Sequence, residues 1–411
     1  MFTPYSWPAA ILHVDADAFF ASVYQAEYAK YRGLPVVVGQ ERGIATAISY
    51  EARAYGIKRG MLMHQIKKLC PECVCLPSDF ELFGLYSARM FDILRHYSPI
   101  VEEYSIDEAF VDVRGMRRPL RMSYEQIAQA IQQEINSALG IGVSVGISVS
   151  KSLAKIASSH HKPRGICLIP GKRIDEYLAQ TTIGDVWGIG HQSVHYFHKL
   201  GIQSALDFAQ KPEHFLIEHR MPRPLFEIWH ELQGTSIYKV NPHVKDSYKS
   251  ISRTQTFTPS TSDRSFLFSR TIYHIEDAFA KARRYQYAVG AMHMFLKTSK
   301  FRYITTEIQL PEPTAYPLMI RQHIQEAFDR VYDPTLQYRT VGCTISRFSD
   351  ARTTQPSLFT HAEDAKKEHR LQGIYPLFEQ GRVDFATALF DPERLQQKKS
   401  IRPAVLNTRF F

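Results

Sequence analysis

Asp15 and Asp17 follow a short apolar run, Ala10-Ile11-Leu12-His13-Val14, and Asp107 and Glu108 sit inside a second apolar stretch from Val101 to Val113. Carboxylates among strand-forming apolar residues are costly unless they are paired or bound to metal. Two such clusters, distant along the chain, can meet if both runs are strands of one sheet. Hard oxygen ligands at that density suit Mg²⁺. Two such ions, roughly 4 Å apart, would clamp the attacking and leaving oxygens of a phosphoryl transfer. The plainer alternative is a solvated sheet face. One geometric condition applies to the metal reading: Asp107 and Glu108 are neighbours and would point to opposite faces of a regular strand, so the chain must bend or bulge there.

A cationic set accompanies the acids. Tyr50-Glu51-Ala52-Arg53 opens a helix after an extended run, and Lys162 ends a basic helix that also carries Lys151 and Lys155. Arg and Lys on phosphate oxygens would offset a triphosphate's charge; read singly, each is also an ordinary surface cation. The aromatic pair Phe19-Phe20 comes directly after the first acids. One ring could pack under a nucleotide sugar and exclude a 2′-hydroxyl, or the two could be core residues.

The elements that must position these groups follow from periodicity. Residues 10–14, 36–39 and 43–50 read as extended, and 19–29 and 79–97 as helices. The 101–113 stretch reads as two short strands or one kinked strand, 123–139 as an amphipathic helix, 142–149 as a strand with strict apolar alternation, and 150–161 as the basic helix. Strands and helices mixed up to about residue 170 predict an α+β domain. Residues 171–240 look wholly helical, 241–250 are a polar linker, 251–350 form a smaller α+β unit, and the last sixty residues have scattered Gly and Pro with weak periodicity.

Composition narrows the partner. The 411 residues carry a net charge of +9 with 44% hydrophobic residues, which favours a polyanion, nucleic acid or a membrane surface. No apolar run approaches the roughly 20 residues a bilayer span needs, and the N-terminus has no basic leader of the signal-peptide kind. Of five cysteines, Cys70 and Cys73 have zinc-pair spacing, but no second pair completes a tetrahedral site. Reduced thiols in a cytoplasmic protein are the expectation.

Taken together the motifs resemble the Y-family DNA polymerase core. The string His13-Val14-Asp15-Ala16-Asp17-Ala18-Phe19-Phe20-Ala21-Ser22-Val23 is followed by Tyr50-Glu51-Ala52-Arg53, then Tyr104-Ser105-Ile106-Asp107-Glu108-Ala109-Phe110, then Lys155-Ile156-Ala157 and Lys162-Pro163-Arg164-Gly165, all in family order. The resemblance runs from residue 10 to about 350. It implies a right hand of α+β class: a palm (1–17 and 83–170), fingers (18–82), a helical thumb (171–240) and a separate α+β little finger (251–350). It further implies that Asp15, Asp107 and Glu108 bind two Mg²⁺ ions with the backbone carbonyl of Ala16. Tyr50, Arg53 and Lys162 would contact the triphosphate beside Phe19, with Phe20 as the gate against ribonucleotides.

Three further resemblances extend the expectation. Trp187-Gly188-Ile189-Gly190 is similar to the hairpin of a helix-hairpin-helix, in which Gly188 and Gly190 would let backbone N–H groups approach a DNA phosphate. Gln355-Pro356-Ser357-Leu358-Phe359 resembles the peptide by which bacterial polymerases bind the sliding clamp, Gln355 anchoring while Leu358 and Phe359 fill an apolar pocket. The small residues Ala45, Ala47 and Ser49 would leave room for a damaged template. There are departures: Ala47-Ile48-Ser49 stands where many family members have Thr-Ala-Asn. The Phe-Phe and Lys-Pro-Arg-Gly strings look DinB-type, whereas Asp185-Val186-Trp187-Gly188 and the long tail, a place for an accessory subunit, look like UmuC. The expected activity is low-fidelity, template-directed joining of dNTPs to a primer on DNA, in translesion synthesis. The competing readings are a non-catalytic, clamp-tethered scaffold, which should lack the carboxylates, and a two-metal nuclease, which leaves Tyr50, Arg53, Lys162 and Phe20 unexplained.

Overall fold

The computed structural model describes residues 7–243, 247–353 and 362–379. They fall into two compact units divided near residue 244, inside the segment expected as a linker.

The first unit holds strands β1 (Ile11–Ala16), β2 (Val36–Val38), β3 (Ala47–Ile48), β4 (Val74–Leu76), β5 (Val101–Glu103), β6 (Glu108–Asp112), β7 (Val143–Ser148) and β8 (Ile166–Ile169). Five of them form one sheet in the order β5-β6-β1-β7-β8, drawn wholly from the two segments expected to make a palm. β1 lies at its centre and pairs antiparallel with β6 and β7. Both faces of the centre are covered, which is why Ile11, Leu12 and Val14 are buried without alternation. Leu12 and Val14 pack under the helices Phe80–Tyr97 and Tyr124–Leu139; Ile11 and Phe110 face Ala154 of the helix Lys151–His160.

These helices start where the sequence provides caps. The Asp79 carboxylate accepts from Leu82 N–H, Ser123 and Gln126 form a reciprocal capping box, and Ser150 Oγ accepts from Leu153 N–H. The smaller sheet, β3-β2-β4, arises from the segment expected as fingers. Residues 174–232 are helical as expected, apart from an isolated bridge between Thr182 and Ser204. That helical segment is tied to the large sheet by Glu231. Its carboxylate, fully buried, accepts from the N–H groups of Ser152, Ile237 and Tyr238. A carboxylate at the first turn of the helix Lys151–His160 also complements that helix's dipole.

The second unit has β9 (Ser250–Thr261), β10 (Tyr287–Thr298), β11 (Tyr303–Thr314) and β12 (Tyr338–Asp350) in the order β11-β10-β12-β9, all antiparallel. With the helices Arg264–Arg284 and Arg321–Val331 the chain order is β-α-β-β-α-β. Phe279, Phe328, Met292 and Val341 fill the core between helices and sheet. No element is expected from the weak periodicity after residue 350, yet Ala362–Glu379 is a helix. Tyr375 anchors it: the side chain is buried, donates to Glu276 and lies under the Arg283 guanidinium.

His274, buried in the second unit, has its pKa lowered to about 4, chiefly by burial. In the unfolded chain this imidazole takes up a proton near pH 6.5, and in the folded unit only near 4. The unfolded state therefore binds the extra proton between those values, so the stability that neutral His274 permits is intact above about pH 6.5 and is lost as pH falls toward 4. The loss amounts to about 3 kcal/mol at most. His274→Gln is expected to shrink the fall in melting temperature between pH 7 and pH 5; an unchanged fall would assign the acid sensitivity to other groups.

Candidate active site

The first acid cluster is built at the end of β1. Asp15 stands directly opposite Glu108 across the β1–β6 pair and opposite Ser144 on β7. A ring nitrogen of His13, a carboxylate oxygen of Asp15 and one of Glu108 all lie within 4.8 Å of one another. The donor set is mostly hard oxygen, as a Mg²⁺ site requires. Ala16 closes β1, and its N–H donates to the carbonyl of Asp107 at 2.9 Å, which brings residue 107 beside the same strand end.

The neighbouring acids meet the condition set by strand geometry. Glu108 begins β6, while Asp107 lies before it in a bend. The bend is closed by the N–H groups of Tyr104 and Ser105, which donate to the Glu108 carbonyl. Asp107 is thus released from the pleat that would oppose it to Glu108. Its carboxylate accepts from Ser105 Oγ at 2.5 Å and is not in the cluster with Asp15 and Glu108.

Asp17 is not with them either. β1 ends at Ala16, so the two-residue repeat that would place Asp17 beside Asp15 stops one residue short. The Asp17 side chain is buried and accepts from Ser144 Oγ at 2.9 Å and from Arg164 N–H at 2.8 Å.

Lysine ammonium groups sit on the clustered acids. Lys162 pairs with Asp15 at 2.5 Å and Lys155 with Glu108 at 2.8 Å. His13, which entered the sequence reading only as part of the motif, lies beneath them. Ser158 Oγ spends its proton on the Lys155 carbonyl, so it must accept from His13 Nδ1–H at 2.7 Å. That leaves the Nε2 lone pair facing Lys155 Nζ at 3.4 Å. Complete burial, and then the charges of Lys155, Lys162 and Lys151, hold the His13 pKa well below its ordinary value, so the ring is neutral. The signal available in sequence was its position two residues before Asp15 on one strand face.

The expected nucleotide contacts lie at three places in the same unit. Tyr50 opens the helix Tyr50–Ala54, capped by Ser49 Oγ, and Arg53 stacks over the Tyr50 ring at 4.4 Å. Burial and the nearby Asp17 carboxylate raise the Tyr50 pKa, so its phenol stays a proton donor. Phe19 and Phe20 divide: Phe19 is buried in the core, so its ring offers nothing to a sugar, while Phe20 is part-exposed and stacks on Phe83 at 4.3 Å. Of the small residues, only Ala47 is part-exposed; Ala45 and Ser49 are buried.

In the hairpin, Gly188 has φ +89°, and a Cβ there would meet Ile228 at 2.8 Å. A Cβ on Gly190, which opens the helix His191–Lys199, would meet nothing within 4 Å. Cys70 and Cys73 are buried, and burial pushes the Cys73 thiol up to about 12, which disfavours the thiolate a zinc ligand must supply. Gln355, Leu358 and Phe359 lie outside the described residues.

A strand-borne acidic pair, a facing lysine helix and a separate β-α-β-β-α-β unit are the parts of a polymerase architecture. The comparisons agree. Residues 14–159 match the model of the impB/mucB/samB family and 248–358 that of the impB/mucB/samB family C-terminal domain. A DNA polymerase IV of Desulfatibacillum aliphaticivorans is 32% identical over 399 residues, covering 93% of this chain and 97% of the relative. A DNA polymerase IV of Listeria monocytogenes serotype 4a is 30% identical, covering 82% and 94%. Among solved structures, a Y-family DNA polymerase chimera of Dbh and Dpo4 superposes with a TM-score of 0.67 at 24% identity, over 82% of this chain and 98% of that one. The chain belongs to this family, the Y-family DNA polymerases, on its DinB-like side. The UmuC-like features of the helical segment and tail do not decide the subfamily.

One ion pair near the site lends itself to a stability test. Lys151 is almost fully buried at the first position of its helix, where a cation opposes the dipole, and both Glu102 oxygens hold it at 2.7 and 2.8 Å. Glu102→Ala would leave that ammonium group buried without its carboxylate. It is expected to cost about 3–5 kcal/mol in denaturant unfolding, with Glu102→Gln costing less; a loss under about 1 kcal/mol would mean that the pair behaves as a surface one.

Proposed function

We propose that this chain is a low-fidelity, template-directed DNA polymerase that performs translesion synthesis in DNA damage tolerance, by attack of a primer 3′-hydroxyl on the α-phosphate of a dNTP. The observation that carries this reading is the register of β1 against β6, which sets Asp15 opposite Glu108 with the Asp107 bend alongside. Asp15, Asp107, Glu108 and the Ala16 carbonyl are the groups that would hold two Mg²⁺ ions. When bound, these would supply charge to the attacking alkoxide and the leaving pyrophosphate. Asp107 is held on Ser105 through Oδ1, which leaves Oδ2 to take part.

The chain's own residues do the rest by positioning. Lys162, with 30% of its side chain exposed at the rim, would exchange Asp15 for a phosphate oxygen once that carboxylate is neutralised. Arg53, stacked on Tyr50, presents its donor edges to the same triphosphate. Phe20 is held flat by Phe83 and bounded edge-on by Phe80, a rigid floor against which a 2′-hydroxyl would clash. Gly188 and Gly190 would admit a DNA phosphate to the hairpin backbone. The domain assignment follows: the five-stranded sheet as palm, the three-stranded sheet as fingers, residues 171–240 as thumb and 251–350 as little finger. Gln355, Leu358 and Phe359 would tether the enzyme to a bacterial sliding clamp in the cytoplasm, with the tail open to an accessory subunit. Among the described residues no helix is long and apolar enough to cross a membrane.

Asp107→Ala and Glu108→Ala are each expected to reduce primer extension by roughly 100-fold or more, while primer-template affinity in a gel-shift assay stays close to wild type; unimpaired extension would remove the metal assignment. Phe20→Val is expected to raise incorporation of ribonucleotides relative to deoxynucleotides by about 10-fold or more. Unchanged sugar discrimination would make Phe20 a packing residue only.

A further inference from the structure

Asp17 belongs to the motif yet stands apart from the metal-binding acids. We propose that Asp17 is a positioning residue for the incoming nucleotide, a bracket that sets Tyr50 and Lys162, which come from two distant segments, at a fixed separation. This inference rests on the polymerase reading above.

Asp17 is 4% exposed, so its oxygens need partners from the protein. Oδ1 accepts from Ser144 Oγ at 2.9 Å and, more loosely, from the Tyr50 hydroxyl at 3.4 Å. Oδ2 accepts from the backbone N–H of Arg164 at 2.8 Å. The residue cannot swing, because its own N–H donates to the Gly142 carbonyl at 2.9 Å and its carbonyl accepts from Ser22 Oγ at 2.5 Å.

Each of the side-chain bonds ends on a different part of the nucleotide apparatus. Ser144 lies opposite Asp15 in the sheet. Tyr50 opens the helix that carries Arg53. Arg164 stands two residues beyond Lys162.

The loop that carries Lys162 depends on the bond to Arg164. Arg164 has φ 55°, a left-handed conformation disfavoured for a residue with a Cβ. Its carbonyl is held by Gln132 Nε2 at 2.9 Å, and the next carbonyl, of Gly165, by Val145 N–H at 2.9 Å. Gly165 admits no side chain, since a Cβ would fall 1.9 Å from the His161 carbonyl oxygen. With the chain fastened downstream, the Asp17 bond to Arg164 N–H is the contact that fixes the segment just after Lys162. Without it the lysine keeps its charge and loses its placement.

The test is single-nucleotide primer extension by the full chain in single-turnover mode, with dNTP concentration varied to separate apparent nucleotide affinity from maximal rate. Asp17→Ala is expected to weaken nucleotide affinity by about 10-fold or more while lowering the maximal rate by under about 3-fold. Asp17→Asn, which retains an acceptor oxygen, should weaken affinity by only about 3-fold. In a Lys162→Ala background, adding Asp17→Ala should weaken affinity by less than it does alone, because part of its effect acts through Lys162. The proposal is overturned if both Asp17 variants keep wild-type nucleotide affinity while Asp107→Ala is inactive. It is equally overturned if Asp17→Asn loses affinity and rate in parallel with its melting temperature, the behaviour of an ordinary core residue. Normal extension by Asp107→Ala would instead overturn the polymerase reading and leave the bracket's geometry untouched.

Discussion

Carboxylates crowded at one end of a sheet repel one another, and the first unit is arranged around that repulsion. Two unit charges at 4 Å interact by about 4 kcal/mol in a surface-like dielectric. Asp15 and Glu108 are forced into that range by the β1–β6 register, not by any attraction between them. The sheet can impose this because β1 is its central strand, hydrogen-bonded on both sides and buried on both faces. Cations then offset the crowding. Lys162 takes Asp15 and Lys155 takes Glu108, so the acids are held close with their charge offset.

One helix supplies much of that compensation. Lys151–His160 sends Lys151 to Glu102 and Lys155 to Glu108, and Lys162 follows just past its end. Its position is over-determined. Ser150 Oγ donates to the Glu231 carbonyl, the Glu231 carboxylate caps Ser152, and neutral His13 bonds to Ser158 from the sheet. Buried polar groups that are fully satisfied rigidify what they join. The helical segment around Glu231 therefore serves the active site by fixing the helix that carries the lysines.

The second unit solves a separate problem. It has its own core and its own sheet, with its helices on one side, and it makes no use of the acids. Membership of the Y family accounts for such a unit as the family's C-terminal domain.

Much of this was legible in the amino-acid order. The run from Ala10 to Val14 is apolar without alternation, as a central strand must be, and the alternation after Gly142 and the helical patterns over 79–97, 123–139 and 150–161 mark β7 and three helices where they occur. The motif strings carried the proposed roles of Asp15, Asp107, Glu108, Tyr50, Arg53 and Lys162 because each role requires a particular functional group, and functional groups are written in sequence. Directions are not. That Asp17 turns inward depends on β1 ending one residue earlier, that Asp107 escapes the pleat depends on the bend from Tyr104 to Glu108, and that Phe19 is buried while Phe20 stays at the surface depends on which side of one helix meets the core. His13 became part of the site only when a helix more than a hundred residues away brought Ser158 and Lys155 to it. Sequence determined which chemistry was present. Tertiary packing decided which groups share it, because strand ends, registers and burial are settled by contacts between segments that sequence spacing does not bring together.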